Sequence, residues 1–255
     1  MARLKTVYLA LVFGFLYLPM AVLILYSFNP SKYGIRWEGF SLAWYRSLAS
    51  DETLLEAAGN SLLVACLSAS LACLVGTLGA IGLHRYRFRG RNVLQGLLFV
   101  TLMSPDIVMA VSLLVLFIVL HIKLGFWSLL LSHTTFCLPF VTVTMLSRLQ
   151  GFDKHLIEAA QDLGAAEWQA MAWIVLPLAA PAIVAGWMLG FTLSLDDVVV
   201  SFFVTGPEFE VLPLKIYSMV RMGVKPEVNA LATLLFAVSL TLVGGAQWLL
   251  GRKPR

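Results

Sequence analysis

Three carboxylates stand inside otherwise apolar runs: Asp106 in MSPDIVMA, and Asp196 and Asp197 in SLDDVVVS. Taking a carboxylate into hydrocarbon costs about 2.5–3.5 kcal/mol even on the mildest scales, so such residues ordinarily line a wet cavity or find a partner. The chemistry open to them is electrostatic. Negative charge at two depths can draw in a protonated amine and let it leave again. The other reading is structural, with each Asp bonded to Ser, Thr or backbone groups or resting at a membrane interface. Helical phase separates the adjacent pair: Gly190, Ser194, Asp197 and Ser201 share one face, a small polar stripe that can border water, whereas Asp196 shares its face with Thr192, Val199, Val200 and Phe203. The spacing predicts Asp197 for a polar route and a structural role for Asp196.

Covalent and metal chemistry find little support. Cys66, Cys73 and Cys137 fall in apolar runs without paired spacing, and read as small buried hydrophobes. His84, His121, His133 and His155 are scattered and make no ligand pattern. No nucleophile elbow, zinc-protease motif or phosphate-binding glycine loop occurs. The chain is therefore expected to be no enzyme, to carry no cofactor, and to leave any nucleotide to another chain.

A second polar element is the stretch EAAQDLGAAEWQAMAWIVLP, Glu158 to Pro177. Asp153 suits an N-cap, Lys154 to Leu163 can form a short helix, and Gly164 suits the left-handed position that ends one. Ala165 to Ile174 can begin a second helix, and Pro177 is expected to rule out its unbroken continuation. Leu156, Ala159, Ala160 and Leu163 form a narrow apolar stripe whose central alanines permit close approach to another surface. Glu158, Gln161 and Asp162 flank it. A helix resting on lipid usually carries Lys and Arg on its polar face, whereas here acids outnumber the single Lys154. A groove on a soluble protein partner is the better match.

The elements that must position these residues are membrane helices. The 255 residues are 60% hydrophobic and 13% charged, with a mean hydropathy of +0.87, against about 25% charge in soluble domains. Six runs approach the roughly 20 apolar residues that a spanning helix needs: about 7–28, 60–83, 95–120, 127–147, 178–204 and 229–250. In these spans Asp106 lies near the middle of the third, and Asp196 and Asp197 lie toward the outer end of the fifth. Pro105 and Pro139 fall within the third and fourth, where proline usually marks a kink. Small residues recur every four positions as Ser68, Ala72, Gly76, Ala80 and as Ala182, Gly186, Gly190, Ser194, ridges that let helices approach closely within or between subunits.

Charge orients the spans. Arg3, Lys5, Arg85, Arg87, Arg89, Arg91, Arg148, Lys154, Arg252, Lys253 and Arg255 fall on one side, outnumbering Lys32, Arg36, Arg46, Lys123, Lys215, Arg221 and Lys225 on the other. The positive-inside rule then places both termini and the Glu158 stretch in the cytoplasm. The first run has no cleavage signature after it and reads as a retained helix. The net charge of +4 and the run HRYRFRGR are explained by topology and lipid headgroups, not nucleic acid. The outer segment Asn29 to Gly59 carries Trp37, Phe40, Trp44 and Tyr45, suited to an interface-lying element or to contact with a binding protein.

Glu158-Ala159-Ala160, three residues, Gly164, nine residues, Ile174, one residue, Leu176-Pro177 matches, at every fixed position, the EAA signature of inner-membrane permease subunits of bacterial ABC importers. FTLSLDDVVVSFFVTGP, LPLKIYSMVRMGVKPEVNALATL and FLYLPMAVLILYSFNPSK further resemble the second permease subunit of spermidine/putrescine importers. This resemblance implies an all-α, six-span fold of the type I importer class, one transmembrane domain over 1–255 with a coupling loop at about 148–177. It implies that Glu158, Ala159, Ala160, Asp162 and Gly164 contact a cytoplasmic ATPase. It also implies a second homologous permease, two ATPase subunits, a periplasmic polyamine-binding protein and a place in the bacterial inner membrane. Another small cationic or organic solute is the alternative substrate. An ion-coupled secondary transporter is the rival class, although no internal repeat is visible.

Overall fold

Prolines, glycines and aspartates decide where the apolar runs stop. The computed structural model describes residues 2–31, 36–153, 155–221 and 226–251. Lys32, Lys154, Lys225, Arg252, Lys253 and Arg255, used above for the charge bias, lie outside the described residues. Among the described residues the chain is helical, its only strand-like feature being the bridge between Gly206 and Phe209.

The helices are α1 (Ala2–Ser27), α2 (Ala43–Ser50), α3 (Glu52–Arg85), α4 (Arg91–Met103), α5 (Asp106–Val119), α6 (Phe126–Gln150), α7 (His155–Asp162), α8 (Glu167–Ala170), α9 (Leu176–Asp196), α10 (Val199–Val204), α11 (Leu212–Arg221) and α12 (Pro226–Gly251). Four continuous helical stretches, Lys5–Ser27, Glu52–Arg85, Phe126–Gln150 and Glu167–Asp196, are long and apolar enough to cross a membrane. The pair α4 and α5 makes a fifth if counted as one span, and α12 is apolar over Pro226–Val238.

Two expected spans need correction. The third, drawn over 95–120, is not one helix: the chain bends by 113° between α4 and α5. Ser104 precedes a proline and is pushed into the extended region at φ −70°, ψ 136°, and Pro105 follows at ψ 132°. Asp106 accordingly opens α5, where its charge suits the helix N-terminus, and does not lie in mid-helix. The fifth, drawn over 178–204, ends at Asp196; Asp197 is extended at ψ 123°, and a separate short helix begins at Val199. Proline also acts in the opposite sense. α6 runs unbroken through Pro139. Pro177 does not stop its helix either, because Met171–Val175 widens into a π-turn in which the Leu176 N–H reaches back five residues to the Met171 carbonyl. That turn makes room for the proline ring where a regular helix would clash.

The residues divide into two compact units. In the first, residues 1–56 and 215–255, α1 packs on α12 and α12 on α2. Asn29 organises the turn after α1: its Oδ1 accepts the N–H groups of Ser31 and Glu38, and its carbonyl accepts the Trp44 indole N–H at 2.8 Å. Trp37 and Phe40 stay exposed.

The second unit, residues 57–214, is built on α3, α6 and α9. Leu129, His133, Cys137, Val141, Met145 and Leu149 recur every four residues on α6 and are all buried. They meet small residues on the facing helices. A Cβ on Gly76 would stand 3.1 Å from Val141 Cγ1, and one on Gly186 would stand 3.3 Å from the same methyl. The two small-residue ridges therefore serve packing within this chain. Cys73 and Cys137 are buried and their thiols lie 3.5 Å and 3.2 Å from the carbonyls of Ile183 and Gly190. Cys66, expected to be buried, is exposed on the far side of α3. α5 packs on α10 around Ala110, Phe117, Val200 and Val204.

Candidate functional site

Asp153 starts the polar loop. Its Oδ1 accepts the backbone N–H of His155 at 3.0 Å, capping α7, and the His155 ring closes on the same oxygen at 2.6 Å. The helix ends in a pair of backbone bonds: the Gly164 N–H reaches the Gln161 carbonyl at 2.9 Å, and the Ala165 N–H reaches the Ala160 carbonyl at 3.0 Å. This is the Schellman closure, which needs a left-handed residue. Gly164 supplies it at φ +86°, and nothing lies within 4 Å of the position a Cβ would take there.

Within α7, Ile157 packs on the core of α3, α6 and α9, and Ala160 is buried. Leu156, Ala159 and Leu163 face outward instead, Leu163 at 90% exposure. The stripe expected from spacing is thus split, with one of its two central alanines turned inward. Glu158, Asp162 and Gly164 are exposed. Glu158 and Asp153 border a cavity of about 380 Å³ whose other walls include Arg85, Arg87 and Arg91. Just beyond, Glu167 accepts from Arg85 Nε and from the Tyr86 hydroxyl, each at 3.1 Å, and so ties α8 to the end of α3. In sequence HRYRFRGR reads as a topology signal and a lipid headgroup contact; the hint of this clasp is the acid at Glu167 in the loop.

The second polar place is the break between α9 and α10. Asp196 is exposed, and Asp197 is only 9% exposed. The Asp197 carboxylate accepts the N–H groups of Val200 at 3.2 Å and Ser201 at 2.7 Å, capping α10. Its Oδ2 lies 3.6 Å from His133 Nε2. The stripe of Gly190, Ser194, Asp197 and Ser201 does share one buried face, but that face meets His133 on α6 and not water, so exposure runs opposite to the expectation. Asp106 is exposed at the other break, between α4 and α5. His133 carries no signal in the sequence, since its partners Ser194, Ser201 and Asp197 lie more than sixty residues away.

Residues 72–255 match the family described as binding-protein-dependent transport system inner membrane component. The chain belongs to that family. This permease is 59% identical over 240 residues to the spermidine/putrescine transport system permease protein PotC of Escherichia coli (strain K12), with 94% of this chain and 91% of that one covered. It is 56% identical to the protein of the same name from Haemophilus influenzae, over 94% of this chain and 93% of that one, and 43% identical to the putrescine transport system permease protein PotI of E. coli, over 96% and 90%. Its fold matches a chain of a bacterial ABC transporter involved in alginate import, with a TM-score of 0.77 at 16% identity over 96% of this chain and 95% of that one. A chain of the MetNI methionine transporter aligns with a TM-score of 0.67 at 17% identity, over 79% and 96%. The permease thus has the type I importer fold, and ATP hydrolysis in such systems resides in separate subunits.

The cap of α7 makes the permease measurable by titration. The ring's hydrogen bond to Asp153 chiefly, with the charges of Asp153 and Glu158, holds His155 above the ordinary histidine value. The backbone N–H of His155, then its ring, holds Asp153 below the usual carboxylate range. A raised histidine contributes most below its unfolded value and loses that contribution as pH rises through the folded one. A depressed carboxylate contributes above its unfolded value and loses that as pH falls through the folded one. The cap is therefore firmest between the two. Ring NMR of the permease in detergent should show His155 titrating above a free histidine, and Asp153→Asn should bring it down. Identical titration in both proteins would contradict the contact.

Proposed function

We propose that this permease is one of two membrane subunits of an ATP-driven importer of putrescine and spermidine. The near full-length identity to a spermidine/putrescine permease is the observation that carries the reading. In it, a second homologous permease completes the route, two cytoplasmic ATPase subunits dock on the loop at about 148–177, and a periplasmic binding protein delivers the polyamine. The chain forms one transmembrane domain with both termini in the cytoplasm.

Glu158, Ala159, Asp162 and Gly164 form the ATPase contact, and Ala160, turned inward, seats the helix behind them. The capped, eight-residue α7 supports this: it is anchored by Ile157 and Ala160 and offers Leu156, Ala159 and Leu163 to a groove, with acidic residues alongside. Closure of the ATPases then moves α7, and through α8 and the Glu167 clasp moves α3 and α9, exchanging inward-open and outward-open states.

The acidic route rests on the two helix breaks. Asp196 stands at the C-terminal end of α9, the negative end of its dipole, so carboxylate and dipole both favour a cation there. Asp197 lends its charge from behind, and Asp106 offers a third carboxylate at the other break. Cells unable to make polyamines and lacking their own importers test the reading. With this permease and its partner subunits they should grow on micromolar spermidine or putrescine, and failure to grow with the full set expressed would contradict it. Growth only on another cationic solute would move the substrate.

A further inference from the structure

Both ring nitrogens of His133 are used, and all their partners lie at the α9–α10 break. Nδ1 is 2.7 Å from Ser194 Oγ, Nε2 is 3.0 Å from Ser201 Oγ, and the ring is 2% exposed. Ser68 Oγ on α3 donates to Ser194 Oγ at 3.0 Å. A serine hydroxyl has one proton to give. Ser194 Oγ can donate to Nδ1 or accept from it, and Ser201 Oγ meets Nε2 in the same way, so the ring is held at both nitrogens in either neutral tautomer. The contacts run without a gap from α3 through α9 and α6 to α10.

We propose that His133 is a positioning residue for the acidic pair, fixing the angle at which α9 stops and thereby where Asp196 and Asp197 stand in the substrate route. A break of two residues, Asp197 and Val198, is otherwise free to change direction, because α9 and α10 share no continuous backbone ladder across it. Asp197 holds the start of α10 through two backbone amides; His133 holds α10 through Ser201 and the end of α9 through Ser194. Both clamps converge on α6, which carries buried residues from Ser128 to Leu149. The ring also stands beside the Asp197 carboxylate, 3.6 Å from its Oδ2, while that carboxylate accepts two N–H groups. Small displacements matter here, since a buried polar network that loses one member leaves the others unpaired.

This inference rests on the acidic-route reading, and a double-mutant cycle separates the two. His133→Leu fills the space without hydrogen bonds, and His133→Gln restores a donor near the Nε2 position. Complex assembly is followed by co-purification, and initial spermidine uptake is measured in proteoliposomes for these variants, for Asp197→Asn, and for the pair. The expected result is assembled complexes, about tenfold lower uptake in His133→Leu and in Asp197→Asn, no further fall in the double variant, and substantial recovery in His133→Gln. Normal uptake in His133→Leu, or losses that multiply in the double variant, would overturn the positioning role while leaving the route intact. Loss of assembly in both His133→Leu and His133→Gln would overturn it in favour of a packing role. Normal uptake in Asp197→Asn and Asp196→Asn would remove the route itself, and the inference with it.

Discussion

Gly164→Val should leave the permease inserted and separate it from its ATPase subunits. The left-handed φ of +86° at this position is open to glycine and costly to a β-branched residue. Such strain costs about 1–3 kcal/mol, and the surroundings offer no clash to confuse the reading, since nothing lies within 4 Å of a Cβ placed there. Relief comes by opening the Schellman bonds at Gln161 and Ala160, which swings α7 away from α8. With that strain falling on the docked geometry, ATPase association weakens by about 5- to 140-fold at 1.4 kcal/mol per decade, and uptake falls with it. Gly164→Ala should behave as a milder version. Co-purification of the ATPases together with membrane insertion checks this, and unchanged association in Gly164→Val would show that the loop does not dock them.

Asp196→Asn should lower polyamine uptake without loss of assembly. The substitution keeps shape and hydrogen bonding and removes only charge. A carboxylate and an ammonium about 4 Å apart attract by about 1 kcal/mol in bulk water and about 4 kcal/mol at an effective dielectric of 20. An exposed residue beside a wet route lies nearer the first figure, so the expected loss is about 5- to 30-fold. Asp106→Asn should give a smaller fall alone and add to the first, since the two stand at separate breaks. High salt should weaken the wild type more than either variant. Uptake equal to wild type in both variants, singly and combined, would leave cation selection to the partner permease and the binding protein.

How much of the fold and the site is legible in sequence depends on how local each signal is. The α7 loop is readable because its cap Asp153, its terminator Gly164 and its alanines lie within a dozen residues. The apolar runs are readable as spans for the same reason. The breaks are not. Pro105 and Pro139 look alike in sequence, yet one ends a helix at 113° and the other sits inside α6. The difference is tertiary: α6 is held along its length by α9, whereas α4 has no buried residue. Pro177 reads as a stop, and a π-turn just before it carries the helix through. The end of α9 has a trace in sequence, an Asp followed by three valines, which weakens a helix and caps the next. The exposures expected for Asp196 and Asp197 come out reversed because the small polar stripe that carries Asp197 packs on His133 of α6 and does not border water. His133 has no local trace at all, because its buried network is assembled from four helices, with α3, α6 and the α9–α10 break far apart in the chain.

Reconstitution tests the central claim most directly. The permease, its partner permease and the two ATPase subunits are placed in proteoliposomes with ATP inside, and binding protein with labelled spermidine or putrescine outside. ATP-dependent accumulation of the polyamine, abolished when ATP is replaced by a non-hydrolysable analogue and insensitive to collapse of ion gradients, is the predicted result. Accumulation that follows an imposed ion gradient without ATP, or ATP hydrolysis with no polyamine moved, would contradict it.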